Sequence, residues 1–279
     1  MAKRRYSFDE AKIARFHKEK RGQGQGGEYH PWLTVHDVPS SGRRARIHWP
    51  TTGRKHHLLS DIETSVFFLL IWKDKVADIR EQFPLDRDRT RAIAEQMGVE
   101  HPRDRHSRVD LVMTLDLLVD VTMGGKRLIV PFSAKPSSEL DDLRTLEKLE
   151  IERRYCVETW GAWRLMTERD YSEQYVQNLR WIHEMHSLDM IEAPASGNWN
   201  DRCDRLLHAL RSSPGKTIGA VFNGFEEKHG CRPGEALTAY RHLLAKKSIA
   251  MDLAEQFRIE TPVANLKFAN ASVGAQRVA

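Results

Sequence analysis

The chain has 279 residues, 40% of them hydrophobic and 30% charged, and a formal net charge of +5. That length suits one large or two ordinary globular domains, and the balance of apolar and charged residues excludes wholesale disorder. No apolar run approaches the roughly 18 residues needed to span a bilayer, and Met1-Ala-Lys-Arg-Arg5 lacks a signal-peptide apolar core, so a cytoplasmic protein with no membrane partner is expected.

Ser7-Phe-Asp-Glu10 reads as a capping box that opens an amphipathic basic helix to about position 21. Gly22-Gln-Gly-Gln-Gly-Gly27 then breaks the helix, either as a plain flexible link or as backbone able to approach DNA closely. Segments 32–35 and 44–49 read as extended, Pro50-Thr-Thr-Gly53 as a turn, and 54–59 as the returning strand. Ser60 caps the helix 61–72, whose run Val66-Phe-Phe-Leu-Leu-Ile-Trp72 is too apolar for a solvated face. A strand over 76–83 and a short helix over 88–97 precede a hairpin of 110–121 and 127–135, turned by Met123-Gly-Gly-Lys126. A charged helix over 143–156, a strand over 163–167 and a helix over 171–186, read as a lid, complete the first domain. This order predicts an α/β fold, a mixed sheet flanked by helices, over residues 1–186.

Pro194-Ala-Ser-Gly-Asn198 is the linker candidate. Helices over 202–211, 217–229 and 233–246, then extended pieces at 248–253 and 257–261, predict a small, mainly helical, winged-helix-like domain over 187–266. Such a domain binds DNA or protein, and element order does not distinguish them. The small and polar stretch 267–279 is expected to be a frayed tail.

Three residues on these elements suggest chemistry. Glu63 opens the apolar helix, Asp116 lies in an apolar strand among Leu115, Leu117, Leu118 and Val119, and Lys135 ends the partner strand. Two acids and a lysine suit metal-assisted phosphodiester hydrolysis, which needs a divalent cation to neutralise developing charge and activate water. Magnesium keeps several of its waters and takes only one or two carboxylates, a demand Glu63 and Asp116 meet, with the Ala134 carbonyl as a further oxygen. Lys135 would orient the water or stabilise the phosphoryl group. Structural readings stay open for the same residues. Ser60-x-x-Glu63 is itself a capping box, in which the glutamate accepts from the Ser60 N–H, and a salt bridge between Asp116 and Lys135 would reduce the burial cost of the carboxylate without metal.

The basic clusters Lys3-Arg-Arg5, Lys18-Glu-Lys-Arg21, Arg43-Arg-Ala-Arg46 and Arg54-Lys-His-His57 all precede Glu63 and form either a phosphate-binding surface or solvated charge. Pro214-Gly-Lys-Thr217 is not a P-loop, because Leu210 stands where the first glycine is required, and it reads as a turn and helix start. Three widely spaced cysteines, Cys156, Cys203 and Cys231, form neither a disulfide framework nor a zinc ribbon, and the thirteen histidines show no paired zinc spacing.

Five segments in order, Pro31-Trp-Leu-Thr-Val35, Asp37-Val-Pro-Ser-Ser-Gly-Arg43, His56-His-Leu-Leu-Ser-Asp-Ile-Glu63, Ile79-Arg-Glu-Gln-Phe-Pro-Leu85 and Arg144-Thr-Leu-Glu-Lys-Leu-Glu-Ile-Glu-Arg-Arg-Tyr155, resemble the TnsA family, the endonuclease subunits of Tn-seven-type heteromeric transposases. The resemblance runs to about Tyr155 and fades beyond 187. It implies a restriction-endonuclease-like catalytic domain that cuts the 5′ strands at transposon ends while TnsB cuts and joins the 3′ strands. It places the family's glutamate, aspartate and lysine on Glu63, Asp116 and Lys135, with Mg2+ as the cofactor and Mn2+ as its substitute. The implied partners are transposon-end DNA, the TnsB transposase and the TnsC ATPase regulator, in the cytoplasm of a bacterium. One departure stands out: the position two before the lysine, acidic in most nucleases of this fold and glutamine in TnsA relatives, is Ser133, expected to assist through a metal-bound water or to mark a partly degenerate site. The rival readings are an inert scaffold linking the transposase to its regulator and a free-standing nuclease that cuts without TnsB.

Overall fold

In a computed structural model of the chain, which describes residues 7–38 and 43–269, the backbone divides into two units, Met1–Tyr171 and Ser172–Ala279. The basic cluster Lys3-Arg-Arg5 and tail positions 270–279 lie outside the described residues.

In the first unit Asp9, rather than Ser7, caps helix α1 (Glu10–Lys18), its carboxylate accepting from the Lys12 N–H at 2.7 Å. Ser7 instead donates to Asp104 at 3.1 Å. The glycine run that follows is an ordered loop seated on the sheet, not a loose link: Gly26 N–H donates to Asp78 at 2.8 Å and Arg54 donates to the Gly26 carbonyl at 2.9 Å. Segment 32–35, expected as a strand, is turn and bend, and the buried Trp32 packs against Phe16 of α1. Strands β1 (Ala45–Trp49) and β2 (Arg54–Leu58) form an antiparallel hairpin of their own.

Helix α2 (Asp61–Ile71) buries Glu63 through Phe68, as its all-round apolar character demands. The main sheet has the order β3-β4-β5-β6, built from β3 (Val76–Pro84), β4 (Thr114–Met123), β5 (Lys126–Ala134) and β6 (Arg164–Met166). The β4–β5 hairpin turns on Gly124 and Gly125, both at positive φ (56° and 76°), the conformation that a tight primed turn needs and that glycine adopts without strain. β5 and β6 pair in parallel, so the chain between them must cross over, and it does so through helix α4 (Leu143–Trp160). The sheet is therefore mixed and covered on both faces. One core holds Trp49, Leu58, Val66, Phe67, Ile79, Leu117 and Val119, and the other holds Leu115, Leu118, Ile93 of α3 (Arg87–Met97), and Ile151 and Tyr155 of α4.

The second unit begins with α5 (Glu173–His183), which the sequence had placed as a lid on the first domain. Its own contacts explain the change. Trp181 stacks on Phe257 with ring centroids 4.9 Å apart, Arg241 donates to the Trp181 carbonyl at 3.0 Å, and Asn178 donates to the carbonyls of Leu253 and Glu255. The expected linker at 194–198 is likewise part of this unit. The Ala195 N–H donates to Glu235 at 2.7 Å, and the buried Arg202 donates to the Ser196 carbonyl at 3.0 Å. The division thus falls after Tyr171 and not at 186/187.

Helices α6 (Trp199–Arg211), α7 (Ile218–His229) and α8 (Glu235–Ala245) precede a short ribbon of β7 (Ile249–Ala250) and β8 (Lys267–Phe268). Helices followed by a two-strand ribbon is the expected order, but the second strand is not at 257–261. The carbonyls of Ile259 and Thr261 accept from the first amides of α7, Gly219 at 2.8 Å and Ile218 at 2.9 Å, so that stretch caps a helix. Lys267 and Phe268, read as tail, take the ribbon position instead. Thr217 of the discarded P-loop motif is the N-cap of α7, accepting from the Ala220 N–H at 3.2 Å.

Candidate active site

Helix capping brings Glu63 into the site. The Ser60 hydroxyl accepts from the Glu63 N–H at 3.1 Å and starts α2. The carboxylate does not complete the expected box on the Ser60 N–H. Its Oε2 accepts from the Leu59 N–H at 2.9 Å and from Gln82 Nε2 at 3.2 Å. Burial pushes the Glu63 carboxyl up to about 7, and the nearby charge of Asp116 adds to that shift.

Asp116 sits near the start of β4, where its Oδ2 accepts from the Ala134 N–H at 2.8 Å and from Lys135 Nζ at 2.9 Å. The Lys135 ammonium also donates to the Ala134 carbonyl at 3.2 Å and keeps 29% of its side chain exposed. Burial opposes that charge, yet Asp116, Glu152 and Glu63 outweigh it and hold Lys135 above its ordinary range. The salt bridge expected of a purely structural pair therefore exists, within a cluster holding more negative charge than one lysine neutralises.

Ser133, the last-but-one residue of β5, is turned toward α4. Its hydroxyl donates to Glu152 Oε1 and accepts from the Trp163 indole N–H at 2.8 Å, which also reaches Glu152 at 3.0 Å. Glu152 is buried, and burial followed by the Asp116 charge pushes its carboxyl up to about 7. Sequence reasoning missed this acid. The signal was present: on α4 the buried positions are Leu149, Ile151, Glu152, Tyr155 and Cys156, so a glutamate occupies the core-facing stripe, where a carboxylate is costly.

The donor set suits a hard cation. The amides of Leu59, Gln82 and Ala134 and the Lys135 ammonium go to Glu63 Oε2 and Asp116 Oδ2, so none of them occupies Glu63 Oε1 or Asp116 Oδ1, and the Ser60 hydroxyl adds a further hydrogen bond to the Glu63 carboxyl. No group of three His, Cys, Asp or Glu side chains among the described residues is placed to hold a metal. Two carboxylates with a neighbouring carbonyl are the oxygen ligands magnesium takes while keeping its waters.

The basic clusters divide on inspection. Arg54 and His56 point inward and, with the His57 N–H, surround the buried Glu81: Arg54 donates to both its oxygens at 2.7 Å and His56 Nδ1 lies at 2.9 Å. Burial opposes the Glu81 charge, but these hydrogen bonds prevail and lower its pKa to about 2. Arg44 donates to the Val35 and Val38 carbonyls. Arg46 and Lys55 remain exposed on the other face of the β1–β2 hairpin.

Comparison with known proteins bears on both units. A family model described as TnsA-like endonuclease N terminal matches residues 73–168, and one described as TnsA endonuclease C terminal matches residues 170–253. Asp116, Ser133, Lys135 and Glu152 lie within the first match, and the junction between the two sits beside the Tyr171/Ser172 division. The transposon Tn7 transposition protein TnsA of Escherichia coli is 40% identical over 258 residues, covering 92% of each chain.

Proposed function

The chain belongs to the TnsA endonuclease family, and on that premise we propose that it is a magnesium-dependent DNA endonuclease that cuts the 5′ strands at transposon ends, together with a TnsB transposase and a TnsC regulator. Family membership supports a nuclease of transposition. The observation that carries the finer reading is the joining of Asp116 Oδ2 to Lys135 Nζ, with the buried Glu63 carboxylate electrostatically coupled to the same aspartate.

Glu63 and Asp116 would hold the cation, with the Ala134 carbonyl as a further oxygen beside them. Magnesium, when bound, supplies Lewis-acid stabilisation of the phosphoryl oxygens and a more acidic water. The Lys135 ammonium, fixed by Asp116 and the Ala134 carbonyl, retains one N–H donor for the attacking water or a phosphate oxygen. The Ala134 amide keeps Asp116 in one rotamer. Ser133 works through Glu152, which restores a carboxylate on the side of β5 where most nucleases of this fold carry one in the strand itself.

That replacement favours an active enzyme over an inert scaffold, since the serine is not a bare loss of an acid. Strand-specific mapping of cuts at cognate transposon ends, with TnsB and TnsC in magnesium, tests the reading. Wild type should give 5′ cuts that Asp116→Ala removes while 3′ cuts persist. An assembled complex in which wild type gives no 5′ cuts would establish the scaffold instead. Cuts without TnsB would point to the free-standing nuclease.

A further inference from the structure

Gln82 interrupts an otherwise regular strand. It lies inside β3, is 3% exposed, and has φ of +48°, a left-handed conformation that a residue with a Cβ adopts only at a cost. The β3–β4 ladder pairs Glu81 with Leu117 and Phe83 with Leu115, so the strained residue falls opposite Asp116. Its carbonyl accepts from the Trp32 N–H at 3.1 Å, and its amide lies between two polar partners. The Gln82 NH2 donates to Glu63 Oε2 at 3.2 Å, and Gln82 Oε1 accepts from the Thr114 hydroxyl at 3.0 Å. Strain held in place by surrounding contacts is found where a side chain must be aimed somewhere the regular backbone would not send it. Here the left-handed residue faces one carboxylate across the ladder and donates to the other.

We infer that Gln82 is a positioning residue for the proposed metal site: Thr114 fixes its amide, and the amide holds the Glu63 carboxylate in the orientation in which it would take a cation together with Asp116. This inference rests on the magnesium-nuclease reading above. It assigns Gln82 no contact with DNA. Hydrogen-bond partners behind a metal ligand set its orientation, and their removal typically lowers metal affinity by about 10- to 100-fold.

The test uses the full-length chain as wild type, Gln82→Gly, Thr114→Val and the double variant. Each is titrated with magnesium while melting temperature is followed, and 5′-strand cleavage is measured across the same series with the partner proteins present. Glycine removes the amide but adopts the left-handed conformation freely, so a folded Gln82→Gly variant separates aiming from backbone support. Its half-maximal thermal shift should move to about tenfold higher magnesium, with cleavage recovering as magnesium approaches saturation. Thr114→Val should move the midpoint less, in the same direction, and should add nothing in the Gln82→Gly background. A Gln82→Gly midpoint within about twofold of wild type would overturn the inference, with the nuclease reading intact if wild type still responds to magnesium. Should Gln82→Gly not fold, an unmoved Thr114→Val midpoint overturns it equally. A wild type with neither a magnesium shift nor cleavage would fail both.

Discussion

The Ser133 hydroxyl donates to the Glu152 carboxylate, joining the end of β5 to the buried face of α4. On the proposed reading the pair would supply from a helix what a strand acid would otherwise supply, so the two members should not be equivalent. Glu152→Gln keeps the shape and removes the charge, and 5′ cutting should fall by about 10- to 100-fold, the usual range for a residue supporting a metal site. Ser133→Ala leaves Glu152 the Trp163 indole and should cost less. Single-turnover 5′ cleavage at fixed magnesium checks this order, and a Ser133→Ala defect larger than that of Glu152→Gln would assign the role to the serine.

Asp116 receives both the Ala134 N–H and the Lys135 ammonium, so on the proposed reading its removal would act on metal and lysine together. Asp116→Ala should reduce 5′ cutting to background while complexes with TnsB and TnsC still assemble. The same substitution should abolish the rise in melting temperature that magnesium gives wild type, and chelation should abolish that rise in wild type too while leaving the Asp116–Lys135 pair in place, so chelated wild type should melt above the mutant. Loss of assembly in the mutant would show that the carboxylate supports the fold at the partner surface.

Much of this candidate site is legible in the sequence. Glu63 and Asp116 stood out because a carboxylate in an apolar helix or strand demands a reason, and the Gly124-Gly125 turn made Asp116 and Lys135 neighbours across a hairpin. Glu152 was hidden by its company: in Glu147-Lys-Leu-Glu-Ile-Glu-Arg-Arg154 acids and bases crowd together, and only the helix phase shows which one is buried. Gln82 gave no signal, because positive φ at a non-glycine residue leaves no mark on composition or period. The boundary between units was misread for a related reason. Proline, serine and glycine at 194–197 suggest a link, but long-range hydrogen bonds from Glu235 and Arg202 decide that the segment is packed.

Acid should reveal Glu81 rather than the candidate active-site cluster. Its folded pKa of about 2 lies below the ordinary value of 4.5, so the stability it contributes is complete above about pH 4.5 and is lost as pH falls toward 2. A depression of that size corresponds to about 3 kcal/mol. Glu81→Gln leaves the Arg54 guanidinium buried with a weaker acceptor, so its melting temperature at neutral pH should be well below that of wild type. Between pH 4.5 and 2 the gap should close, because wild type loses there what the variant never had. Parallel melting curves over that window would refute the assignment.

Gly22 sets the loop beneath the strand that carries Gln82. Its φ is +77°, and a Cβ at this position would lie 2.1 Å from the Pro84 ring, which cannot rotate away. Gly22→Ala therefore combines left-handed strain with a collision, and should cost about 2 kcal/mol or more of unfolding free energy. Gly26, four residues on at φ +53°, has open space around its would-be Cβ, so Gly26→Ala should show the backbone penalty alone, about 1 kcal/mol. Denaturant midpoints of the two variants make the comparison directly. If they prove equal, the loop can lift off Pro84 without loss, and the close seating of the glycine run against β3 contributes nothing to stability.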